Sequence, residues 1–173
     1  MSQSHALKDL MTDVFEFPHI PYWFTIRQAI EIVKKALIDD EKCYSPMALL
    51  VFDEKYNLLG TVTHADLLKG LEPSLIDITS GNRKAEEDTA VPALDWAALF
   101  TRDSRSLAER PVSEIMVPAR MFVQKEDPVS KAAYLMVSHN LVLLPVLDEG
   151  NKLVGLVRMP DLFNVLSQVV LKS

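Results

Sequence analysis

The sequence predicts an α/β (α+β) fold built from two copies of one strand–helix unit joined by a helical linker. Three observations lead there. The stretch GTVTHADLLKG at residues 60–70 and the stretch GLVRMPDLFNV at 155–165 share one layout, 95 positions apart: Gly, apolar residues, a strand end, and an Asp where a helix begins. Two continuous apolar runs, MALLVF and LVLLPVL, each lead into a stretch of turn formers, DEKYN and DEGNK. A segment with helical apolar spacing precedes each run.

In the first half, LKDLMT at residues 7–12 reads as a short helix and a brief strand. Thr25-x-x-Gln28 then forms a capping box, in which the hydroxyl takes an orphan N–H and the Gln side chain reaches back. Ile26, Ala29, Ile30, Val33 and Leu37 follow on one helical face. MALLVF is uniformly apolar, as expected of a strand covered on both faces. DEKYN turns it into a hairpin, and the returning strand ends at Thr63, where the closing helix starts.

Residues 73–110 have no counterpart in the repeat. TSGNRKAEEDT at 79–89 has little to bury and is expected to be mobile. PALDWAALFTRDSRSLAER reads as one helix, with Leu94, Trp96, Leu99, Phe100 and Leu107 able to dock. The second half opens on VSEIMV at 112–117, which matches LKDLMT at an offset of 105. Asp127 can cap the next helix with Pro128 at its first position, and Ala132, Ala133, Leu135 and Met136 supply the apolar face. From there the offset is constant: Asp53 falls on Asp148, Leu58 on Leu153, Gly60 on Gly155 and Asp66 on Asp161. The expected division is a first repeat at 1–72, a linker with one helix at 73–110, and a second repeat at 111–173.

Composition narrows the function. The 173 residues are 49% hydrophobic and 24% charged, within the ordinary globular range. The apolar runs are strand-length, too short to cross a bilayer, and no charged-then-apolar leader opens the chain. A net charge of −6 with no basic cluster argues against nucleic acid as a partner. Cys43 is the only cysteine, so no intrachain disulfide forms, which fits a cytoplasmic setting. No phosphate-loop, dinucleotide or nucleophile-elbow motif is present, and His5, His19, His64 and His139 lack metal-ligand spacing. The expectation is a protein that is not an enzyme and needs no catalytic cofactor.

Each half resembles a CBS domain, and the pair resembles a tandem CBS (Bateman) module. The residues that carry the resemblance are KDLMT and SEIMVP at the heads, LPVLDEGNKLVGLVRMPDLF in the second half, and Gly60-x-x-Thr63-x-x-Asp66 in the first. It covers roughly residues 1–72 and 111–171. The resemblance implies two β-α-β-β-α repeats packed about a pseudo-twofold axis, with adenosine-containing ligands (AMP, ADP, ATP or S-adenosylmethionine) in the clefts between repeats. It also implies a homodimer that regulates another protein. The family's ribose-binding Asp falls on Asp66 and Asp161, and its Thr or Ser near ribose and phosphate falls on Thr63. Arg158 departs from that pattern.

The chemistry suits those residues. Ribose presents two vicinal hydroxyl donors, and a carboxylate accepts both. A first-turn Asp is oriented by the backbone and steadied by the helix dipole, while the free N–H groups beside it can meet a phosphate. An apolar slot for adenine would come from the loops at 15–18, 44–47, 118–121 or 140–143. Thr63-x-x-Asp66 is equally a plain capping box. Arg158 is either a surface partner of Asp161 or a fork for phosphate, and His64 is either a solvated helix-start residue or a phosphate contact. A structural or protein-interaction module without nucleotide is the alternative reading.

Overall fold

The computed structural model describes residues 6–39, 48–75, 95–100 and 102–171. The segment at 79–89, the loop at 44–47, His5, Cys43 and Leu94 lie outside them. The strands are β1 (Thr12–Asp13), β2 (His19–Pro21), β3 (Ala48–Phe52), β4 (Leu58–Thr63), β5 (Val117–Pro118), β6 (Val123–Gln124), β7 (Leu143–Leu147) and β8 (Leu153–Arg158). The α-helices are α1 (Ile26–Asp39), α2 (His64–Leu71), α3 (Arg102–Leu107), α4 (Val129–Ser138) and α5 (Met159–Leu171). The strands form two four-stranded sheets, in the orders β2-β3-β4-β5 and β1-β8-β7-β6. The mixed α+β class expected from the sequence is the class observed.

The two hairpins are built alike because their turns carry the same code. Asp53 accepts hydrogen bonds from the N–H groups of Lys55 (2.9 Å) and Asn57 (2.8 Å). Asp148 does the same for Gly150 and Lys152, both at 2.9 Å. Tyr56 and Asn151, at equivalent places, both adopt positive φ (63° and 57°). The register shifts at Val51/Phe52 in one hairpin and at Val146/Leu147 in the other, so even the bulge recurs at the offset of 95. The Asn57 side chain also donates to Asp53, and this bond, with the backbone bonds, holds the Asp53 carboxyl below its ordinary pKa. A depressed carboxyl pKa contributes stability that is present above the unfolded-state value and lost as pH falls through the folded one. Asp53→Asn should therefore flatten the stability–pH curve below about pH 4, measured by urea unfolding at a series of acid pH values.

The contacts divide the chain into two compact units, and the units do not follow the sequence repeat. One contains residues 6–19 together with 118–171; the other contains 20–39, 48–75, 95–100 and 102–117, among the described residues. The head of each repeat has been exchanged. Leu7 is fully buried in a core with Val129, Met136, Leu144, Val157 and Leu162. Val112 is fully buried in the other core, with Ile26, Leu49, Val51, Val62 and Leu67. Backbone bonds fix both heads: Leu7 N–H to Asp127 C=O (3.1 Å), and Val112 N–H to Phe24 C=O (2.7 Å). The expected boundaries at 72 and 111 thus describe repetition along the chain, whereas packing cuts it near 19 and 117.

Exchange explains the repeated glycine. β1 pairs with β8, placing Asp13 opposite Gly155. A Cβ on Gly155 would lie 2.7 Å from the Thr12 carbonyl oxygen, and one on Gly60 would lie 2.5 Å from the Val117 carbonyl oxygen. Both obstacles are backbone, so the incoming head strand itself must move. Gly155→Val should cost about 1–3 kcal/mol by overpacking, read as a lowered denaturation midpoint.

The helix starts bear out one cap and revise another. Gln28 Oε1 accepts from Thr25 N–H (2.9 Å) and Thr25 Oγ1 accepts from Gln28 N–H (3.2 Å), the reciprocal box expected. The next two α1 N–H groups go to carbonyls of the linker's end, Ile26 to Arg110 (2.9 Å) and Arg27 to Ala108 (2.8 Å). Asp127, in contrast, does not cap α4, whose N-cap is Pro128. Its carboxylate closes a turn onto Gln124 N–H (2.8 Å) and pairs with Lys131 (2.7 Å). The single linker helix is also revised. A short 3-10 turn (Trp96–Ala98) and α3 are separated by Phe100, whose φ of 56° ends the first piece as its N–H turns to Glu72 (3.2 Å).

Candidate functional site

The two strand–helix corners superimpose in sequence and differ in chemistry. At the first, β4 delivers Thr63 opposite Ala48 and α2 begins at once. Asp66 is in its first turn and buried. Asp66 Oδ2 accepts from Thr63 N–H and from Thr63 Oγ1–H, both at 2.8 Å, while Asp66 N–H approaches Thr63 Oγ1 at 3.4 Å. The capping reading of this motif is therefore realised. It uses one carboxylate oxygen. Oδ1 accepts no hydrogen bond among the described residues. The Thr63 proton is committed to Asp66, so a ligand would meet Thr63 as an acceptor unless the cap opens.

Asp66 lines a cleft of about 170 Å³ with Lys69, Gly70 and Pro73 from the same side of the α2 segment, and with Arg110, Glu114 and Ile115. Arg110 donates through Nε to Glu114 (2.7 Å), leaving its terminal nitrogens without a protein partner among the described residues. Lys69 is exposed and has none among them. The cleft thus combines the Asp66 carboxylate with Lys69 and with an Arg110 that is paired to the Glu114 carboxylate. Its volume is below the roughly 300 Å³ of a typical small-molecule pocket, enough for part of a ligand such as a sugar phosphate. His64 is exposed at the start of α2 and is not among the lining residues.

At the second corner β8 delivers Arg158 opposite Leu143, and α5 carries Asp161 in its first turn. Arg158 N–H donates to Asp161 Oδ2 at 3.2 Å, keeping half of the cap. The guanidinium then takes the carboxylate in a fork: Nε to Oδ2 at 2.8 Å and a terminal nitrogen to Oδ1 at 2.7 Å. The pair is no surface ion pair, since its side chains are only 11% and 16% exposed. Charge-assisted bidentate bonds of this kind are among the strongest available to side chains, and losing one partner of a buried pair costs about 3–5 kcal/mol. Both Asp161 oxygens are occupied where Asp66 keeps one open.

Sequence reasoning named Thr63, His64, Asp66, Arg158 and Asp161, and the structure brings them together only as local pairs, Thr63 with Asp66 and Arg158 with Asp161. It missed Lys69 and Arg110. Lys69 was legible as the residue three positions after Asp66 on one helix face. Arg110 was not, because it reaches the cleft from the end of the linker, next to the exchanged head. Of the loops considered for adenine, 15–18, 118–121 and 140–143 belong to the unit that carries Asp161. There Phe15 is 78% exposed and stacks on His19 at a centroid distance of 5.9 Å. No three His, Cys, Asp or Glu side chains gather as a metal site among the described residues.

The family model for the CBS domain matches residues 112–168. A magnesium transporter, MgtE of Thermus thermophilus, is 24% identical over 151 residues, covering 87% of this chain and 25% of the transporter. The chain spans between a quarter and a half of the length of the first curated relatives it matches. Among solved structures, CBSX2 in complex with AMP aligns with a TM-score of 0.62 at 18% identity, covering 96% of this chain and 98% of that one. The cytosolic domain of the Mg2+ channel MgtE in complex with ATP aligns with a TM-score of 0.59 at 23% identity, covering 94% and 49%. At these identities the likeness establishes the fold.

Proposed function

We propose that this protein, whose residues 112–168 match the CBS-domain family model and whose fold is that of solved CBS pairs, is a regulatory module that binds an adenine nucleotide at the Asp66 corner and catalyses no reaction. One observation carries the reading: Asp66, with one carboxylate oxygen taken by Thr63 and the other accepting no hydrogen bond among the described residues, lines a cleft together with Lys69 and Arg110. A nucleotide offers the complementary set, hydroxyl donors on ribose and anionic oxygens on phosphate. AMP in CBSX2 and ATP in the MgtE domain support the choice of ligand class. S-adenosylmethionine shares the ribose but lacks a phosphate for the cations. Binding would shift a partner protein only through different affinity for two states of the module.

Thermal shift with AMP, ADP, ATP and S-adenosylmethionine tests the proposal. A ligand bound only by the folded state adds about 2.7 kcal/mol of stability at a hundredfold excess over Kd. No shift with any of the four would leave the interaction-module reading in its place.

The module is proposed to act as a homodimer in the cytoplasm. No helix among the described residues is long and apolar enough to cross a membrane. On the closing helices Leu67 and Leu162 fill their own cores, Leu68 and Leu166 are exposed, and Phe163, Val169 and Val170 on α5 are more than 70% exposed. Tyr134 and Val137 on the neighbouring α4 are exposed as well. These exposed apolar side chains on neighbouring helices support the dimer reading, because contiguous apolar surface is commonly covered by a partner. Light scattering should give twice the chain mass of 19.5 kDa, and a monomer at micromolar concentration would remove this part of the proposal.

A further inference from the structure

The two corners are one motif with one substitution that changes what the carboxylate is free to do. In the first, the residue three places before the Asp is Thr63, which engages Oδ2 alone. In the second it is Arg158, which engages Oδ2 through Nε and Oδ1 through a terminal nitrogen. We propose that Arg158 is a built-in occupant of Asp161, standing where ligand hydroxyls would bind, so that the chain takes one nucleotide, at the Asp66 corner. This rests on the nucleotide reading given above. Arg158 is then the residue that sets ligand stoichiometry.

The argument is one of competition. A ribose brings neutral hydroxyls, whereas the guanidinium brings a full charge in matched planar geometry on the same two oxygens. The guanidinium is tethered in the same strand–helix corner, so its local concentration exceeds that of any dissolved ligand. Burial removes the water that would otherwise loosen the pair, since Arg158 as a whole is 9% exposed. A phosphate could draw the fork away only by leaving Asp161 buried without its cation. Of the two readings of Arg158, partner of Asp161 or fork for phosphate, the geometry realises the first, in a buried rather than a surface pair.

Calorimetric titration of the full chain with AMP, and separately with ATP, decides the matter. The wild type should bind one equivalent per chain. Arg158→Thr restores the Thr-x-x-Asp arrangement that already folds at Thr63 and Asp66, and should bind two. Arg158→Ser, with the smaller hydroxyl, should do the same if the Thr variant is poorly folded, and melting curves report folding of both. Asp66→Asn combined with Arg158→Thr should retain one tight equivalent. Two equivalents in the wild type would overturn the role of Arg158 while leaving the nucleotide reading intact. One equivalent in the folded wild type and still one in folded Arg158→Thr and Arg158→Ser would also overturn it. No binding by the wild type would sink the nucleotide reading at the first corner. One equivalent appearing in Arg158→Thr would then still support the block, and none in either would overturn both.

Discussion

Leu7→Ala should destabilise the unit containing the second repeat by about 2–5 kcal/mol, the cost of removing a fully buried Leu side chain and leaving a cavity. Leu7 has no exposed surface and is packed with residues from β6, β7, β8, α4 and α5. The location of the loss is more informative than its size. Hydrogen exchange should accelerate at the amides of β7 and β8 and leave those of β3 and β4 unchanged. The sequence repeat taken alone predicts the reverse, because it groups residue 7 with residues up to 72. Loss of protection in β3 and β4 would therefore refute the exchange of heads. Leu68→Ala, at a half-exposed position of α2, is the control, with an expected change well below that of Leu7→Ala.

The second large effect is on binding. Asp66→Asn should weaken AMP or ADP by about ten- to a hundredfold, equivalent to roughly 1.5–3 kcal/mol for a hydrogen bond to a charged group. Asn is preferred to Ala because it separates two roles of one side chain. Its amide oxygen can still accept from Thr63 as Oδ2 does now, so the start of α2 stays capped. Its NH2 then replaces the free Oδ1 and cannot accept from ribose. An unchanged melting temperature with a weakened Kd supports the ribose role. An unchanged Kd would show that Asp66 serves only as a cap.

Much of this was legible in the residues. The hairpins follow from Asp53 and Asp148 and from the apolar runs before them, because turn chemistry and strand covering are local properties. The box at Thr25 and Gln28 is local too. Asp127 was misassigned for the opposite reason: a carboxylate before a helix has several N–H groups within reach, and the turn at Gln124 took it. The linker failed as one helix because Phe100 answers to Glu72, 28 positions earlier in the chain, and spacing within a segment carries no trace of such a bond.

By itself the sequence determined that one strand–hairpin–helix unit occurs twice, that each copy ends on a first-turn Asp, and that a Gly stands three residues before the strand ends at Thr63 and Arg158. Only the tertiary structure decided which head fills which core. Leu7 and Val112 are both aliphatic and sit in near-identical heads, so either could plug either core as far as pattern can tell; chain connectivity and packing make the choice. Only the tertiary structure likewise decided the state of the two carboxylates. The same spacing leaves Asp66 with an open oxygen and Asp161 with none, because a guanidinium spans both oxygens of a carboxylate and a hydroxyl reaches one.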